Sequence, residues 1–160
     1  MKSQGEIESA VCDGISRFQQ EFIGRGPSDI HAHLVGSLLV VRLNGVLTPA
    51  ERQLISPRGP RYPAALFDGS GNGERPATAV DGQEQDNGRS LLKQVRSHMI
   101  ATGRQRLQMI VEEASGVELV SVHHDISTVT GEELFAFSLA HSPSCRPKKT
   151  LSRAGRSPLD

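Results

Sequence analysis

Tryptophan is absent from this chain and tyrosine occurs once, at Tyr62. Few aromatic platforms are therefore left on which bases could stack. Charge of neither sign is in excess, since 18 Lys and Arg meet 18 Asp and Glu. No global field draws the chain to nucleic acid or to an anionic membrane, and no nucleic-acid partner is expected. No apolar run approaches the ~20 residues that span a bilayer, so no transmembrane segment is expected either. The opening residues, Met1 to Glu6, have no apolar segment behind them of the kind a signal peptide needs. Cysteine is limited to Cys12 and Cys145, far apart and in unlike contexts. Two such thiols make neither a disulfide framework nor a zinc pattern. At 160 residues the expectation is one cytoplasmic domain.

What is present is organised around residues 116–140, which read as a β-hairpin. Val120, Val122, His124 and Ile126 fall on one face of its first strand, and Leu119, Ser121, His123 and Asp125 on the other. The return strand places Phe135, Phe137 and Leu139 opposite Leu134, Ala136 and Ser138, with Thr130-Gly131 in the turn. Upstream, Ile7, Val11, Ile15, Phe18 and Phe22 form one helical stripe over residues 6–23, opened by a Ser3/Glu6 capping box. The four Phe of these elements predict a shared core. Gly24 to Pro27 stops that helix and turns a corner, with an anion nest at Arg25 as the functional alternative.

Residues 30–44 read as a second hairpin around Gly36-Ser37. Leu38 to Val41 is apolar on both faces, which suits a central strand. In the run Gly45 to Glu51, Thr48 is an N-cap, Pro49 fits the first helical position and Glu51 completes a capping box. A partner loop is the functional alternative there. Ser56-Pro57 ends this short helix.

Residues 57–87 are rich in Gly and Pro and read as a disordered insertion. Gly69 to Gly73 lacks the strand, helix and Gly-Lys-Ser/Thr of a phosphate loop. A long helix is expected over 90–115. Leu92, Val95, Met99, Leu107, Ile110 and Ala114 would form its buried stripe, and Lys93, Arg96, Arg104, Gln105, Arg106 and Gln108 its solvated face. Residues 141–160 read as a disordered basic tail. The fold expected is α+β: two helix–β-hairpin units within residues 3–140, an antiparallel sheet packed against two main helices.

Chemistry on offer is sparse. If both hairpins join one sheet, His31, His33, His123 and Asp125 could converge, and a borderline metal would accept such ligands. No tight ligand spacing supports a metal, and no cofactor is expected. A His–Asp pair would suit a general base. Without a nucleophile in a recognisable elbow, the expectation is a non-enzymatic protein. Asp125 is expected to accept backbone N–H groups of the turn and to hold a neighbouring imidazole. Ser127 and Thr128 are expected to shape the same turn.

Several runs together resemble the MpsC-like domain family: Gly24 to Pro27, Val41 to Glu51, Leu91 to Arg96, and Val120 to Thr128 with Thr130-Gly131-Glu132. The family pattern carries an acidic residue near Ser37 that is absent here, and residues 57–87 interrupt a connection that is usually short. The family brings no catalytic set. The resemblance implies a functional motif drawn from Arg25, Thr48, Glu51, His123, Asp125, Ser127 and Thr128. It also implies an accessory protein of a membrane-potential-generating or inorganic-carbon uptake system. Membrane subunits of a cation or bicarbonate transporter would be its partners, at the inner face of the membrane. A homodimer is a further expectation. The alternative is a small-ligand or metal sensor built on the His/Asp cluster.

Overall fold

A computed structural model describes residues 1–56 and 80–147, the side chains of 80–85 aside. The chain runs α1 (Gln4–Phe22), β1 (Asp29–Val35), β2 (Leu38–Asn44), α2 (Pro49–Ile55), α3 (Val80–Thr102), α4 (Arg104–Ser115), β3 (Leu119–Ile126) and β4 (Glu133–Leu139). The strands form one antiparallel sheet in the order β1-β2-β4-β3. Each hairpin thus contributes one inner and one edge strand. The architecture is the α+β arrangement of two helix–hairpin units, joined through β2 and β4.

Local chemistry explains where the helices start and stop. The Ser3 hydroxyl accepts from the Glu6 amide while the Glu6 carboxylate accepts from Ser3 N, closing the capping box of α1. Thr48 and Glu51 do the same for α2, with Pro49 at its first position. Gly116, with φ of 71°, is the left-handed stop of α4.

One face of the sheet is covered. Ile7, Val11, Ile15 and Phe18 of α1 and Leu107 and Val111 of α4 bury against Leu39, Val41, Leu43, Phe135 and Phe137. Phe22 stacks on Phe18 at 4.7 Å and joins the rim of this core. Complete burial of side chains this size stabilises by roughly 1.5–3 kcal/mol each.

The second helical region departs from the sequence reading in three ways. It is two helices, parted at Gly103, where a Cβ would run into the rings of Phe18 and Phe22. It begins at Val80, inside the span expected to be disordered. Its buried row in α3 is Leu92, Arg96 and Ile100, while Val95 stays 43% exposed. Arg96, expected on the solvated face, is fully buried.

A β-bulge between Leu119 and Ser121 shifts the register of β3, so Leu119 is buried and Val120 exposed, against the strict alternation expected. The start of the expected basic tail is ordered: Arg146 N donates to the Lys2 carbonyl and pairs in parallel with Ser3. The rest of that tail, and residues 57–79 of the expected insertion, lie outside the described residues.

Candidate functional site

The sheet's uncovered face carries the histidines singled out by sequence. Cross-strand register places His31, Arg42, Leu134 and Asp125 in one row, and His33, Val40, Ala136 and His123 in the next. The expected convergence of His31 and His33 with His123 and Asp125 does not occur. β1 and β3 are opposite edges, three strand spacings or about 14 Å apart. No single ion with ligands near ~2 Å bridges that span. Among the described residues no group of three His, Cys, Asp or Glu is placed to hold a metal.

Three of these four candidates have another partner. His31 Nε2 lies 3.1 Å from Asp29. His123 Nε2 is 3.3 Å from the Ser121 hydroxyl. Asp125 accepts from Lys93 Nζ of α3 at 2.9 and 3.0 Å, and that contact holds its carboxyl below the ordinary range. The turn is shaped by Ser127, whose Oγ accepts from the amides of Val129 and Thr130, so the role expected of Asp125 falls to Ser127. Thr128 is half-buried in the same turn. Arg25 Nε donates to the Gly45 carbonyl at 3.1 Å, tying the Gly24–Pro27 corner to the Gly45–Glu51 run. Apolar side chains occupy the rest of the open face, with Val35 68%, Leu38 40% and Leu134 42% exposed.

Beneath the other face lies a sequestered charge network. Arg96 donates through Nε and Nη2 to both carboxylate oxygens of Glu51, at 2.7 and 2.8 Å, a two-pronged grip suited to the planar guanidinium. Nη2 also donates to the Val46 carbonyl at 2.9 Å, and Nη1 reaches Gln19 Oε1 and Glu133 Oε2 at 3.4 and 3.5 Å. Gln19 Nε2 donates to Glu133 Oε2 at 2.6 Å. His124 Nε2 lies 2.6 Å from Glu133 Oε1. A carboxylate accepts, so this ring nitrogen carries the hydrogen. Glu133, Gln19 and Arg96 are fully buried and the His124 side chain is 6% exposed. Burial opposes ionisation of Glu51, but the Arg96 hydrogen bonds and the Thr48 amide outweigh it and hold the carboxyl below 4.5.

The network reaches solvent at Glu51, 13% exposed, and beside His124. A cleft of about 250 Å³, lined by Ser97, Ile100, Ala101, Arg104, Val122 and His124, opens between α3, the start of α4 and β3. Sequence reasoning missed its main parts. His124 and Glu133 were detectable as polar residues in phase with inward-facing apolar ones, Val122 and Ile126 in one strand and Phe135 and Phe137 in the other.

The chain is similar in sequence to known proteins. The chain is 27% identical over 150 residues, 94% of its length and 98% of the relative's, to the uncharacterized protein YbcI of Bacillus subtilis (strain 168). No solved structure matches the chain. Residues 3–59 and 83–141 match the family described as "Na+-translocating membrane potential-generating system (MpsC)", which takes in both hairpins and every residue of the Arg96 network. The chain belongs to the MpsC family.

Proposed function

We propose that this protein is a non-enzymatic accessory component of a Na+-translocating membrane-potential-generating system. In this reading the open sheet face docks on a membrane component of that system, at the inner face of the membrane. The observation that carries the reading is that face itself. Val35, Leu38, Val40 and Leu134 lie on it interleaved with His31, His33, Arg42 and Asp125, so that exposed apolar side chains alternate with polar ones. Interfaces commonly combine apolar anchors with polar and charged groups that set orientation. The family description supplies the kind of partner. None of the described helices is long and apolar enough to cross a membrane.

The test is a gene deletion complemented by Leu38→Asp/Leu134→Asp. Both positions are exposed, so the variant is expected to fold. The wild-type gene restores sodium-dependent membrane potential, read with a voltage-sensitive dye, and the double variant does not. A deletion strain with unchanged potential, or a double variant that complements fully, refutes the proposal. A second reading, a small-ligand sensor, is favoured by one specific observation: the cleft against which His124 packs.

A further inference from the structure

We propose that the cleft beside His124 is a binding site for a small aliphatic monocarboxylate. The inference stands apart from the docking role and uses none of the residues on the open face.

The cleft has two kinds of wall. Ile100, Ala101 and Val122 are apolar, while Arg104, Ser97 and His124 bring hydrogen-bonding groups. Arg104 is exposed, and no carboxylate pairs with it among the described residues, so its guanidinium is free to take an anion. At about 250 Å³ the cleft lies at or below the range of drug-sized pockets, which limits the ligand to a small one.

Arg104 decides the sign of the ligand; the His124 ring lines the cleft beside it. The ring's Nε2 is committed to Glu133. Its Nδ1 has no hydrogen-bond partner among the described residues, and it is not among the buried polar atoms left unsatisfied. The ring is held by Phe135, whose centroid is 4.8 Å away. Behind it, Glu51 and Glu133 supply two carboxylates against the one guanidinium of Arg96. The Arg104 guanidinium and the Ser97 hydroxyl, beside a short apolar wall, match a carboxylate on a short alkyl chain. A metal cation is disfavoured, because Arg104 repels it and the cleft lining offers no carboxylate.

The experiment titrates the full-length protein with butyrate and follows the His124 ring by 13C-detected NMR, with butylamine and inorganic phosphate as comparators. The expected result is saturable binding of butyrate with a shift of the His124 resonance and little response to butylamine. Arg104→Gln weakens the affinity roughly tenfold or more, the loss of one charge-assisted hydrogen bond. Ala101→Leu, an exposed helical position on the cleft wall, abolishes binding while leaving the unfolding midpoint in place. Phosphate binding as tightly as butyrate would make the apolar wall irrelevant and overturn the monocarboxylate assignment. So would unchanged affinity in Arg104→Gln, binding that survives Ala101→Leu, or no saturable response up to about 50 mM, far above a weak Kd of ~1 mM.

Discussion

Replacing Arg96 by Met removes the cation on which the buried network depends. The side chain is fully buried and makes five hydrogen bonds: two to Glu51 and one each to Val46, Gln19 and Glu133. Met preserves much of the volume, so the loss is electrostatic rather than a cavity. Glu133, with no exposed surface, and Glu51, with 13%, are left facing each other's charge without the guanidinium. Breaking a buried pair in this way costs about 3–5 kcal/mol. With a urea m-value near 2 kcal/mol per molar, the unfolding midpoint falls by roughly 2 M. Lowering the pH supplies an internal control. Carboxylates stripped of their cation bind protons more readily folded than unfolded, so acid stabilises the variant relative to wild type and the gap narrows. Urea titrations at pH 7 and pH 5 measure both effects. A loss below about 1 kcal/mol at pH 7, the size expected of an exposed helix charge, would refute the sequestered network.

Three further outcomes follow from the same contacts. Glu51, held below its ordinary 4.5 when folded, stabilises the protein above that pH; the stability is lost as pH falls below 4.5 through the depressed value, and an acid titration of wild type against Glu51→Gln shows the difference. Asp125→Ala lowers stability by less than about 1 kcal/mol, because the Lys93 pair is exposed, whereas Ser127→Ala costs about 1 kcal/mol through its two turn bonds; the reverse ranking in urea would restore Asp125 as the turn residue. Gly103→Ala forces a methyl group into the Phe18 and Phe22 rings and lowers stability by roughly 1–3 kcal/mol despite the better helix propensity of Ala, and a calorimetric Tm at or above wild type would show that the helix break is not held by that packing.

Much of the fold was legible because its signals are local. Capping boxes at Ser3/Glu6 and Thr48/Glu51, turn glycines and period-two strands are each set within a few residues, and both boxes form as read. What escaped is non-local. The sequence does not say which strands of two hairpins become neighbours, and the β2–β4 pairing sends His31 and His123 to opposite edges. Arg96 escaped for a related reason. It sits four residues from Leu92 and four from Ile100, on the buried row, but its charge argued for solvent until partners from α1, α2 and β4 were in place. The break at Gly103 likewise answers to Phe18, some eighty positions earlier.

The run His123-His124-Asp125-Ile126 shows why a motif in a strand resists a single reading. Alternation divides it between two environments. His123 and Asp125 face the open side, where their partners are Ser121 and Lys93 and where both are exposed. His124 and Ile126 face inward, and only there does an imidazole meet the buried carboxylate of Glu133. The candidate cluster drawn from His123 and Asp125 thus paired the outward half of the motif with residues at the far edge of the sheet. The inward half joins Glu133, Gln19, Arg96 and Glu51 into a chain of charge-assisted contacts from β3 to the capping box of α2. Glu51 therefore serves two structures at once, closing the cap on Thr48 and gripping Arg96. That double use gives the Gly45–Glu51 run and the histidine run one shared physical basis, although they are separated by more than seventy positions in the chain.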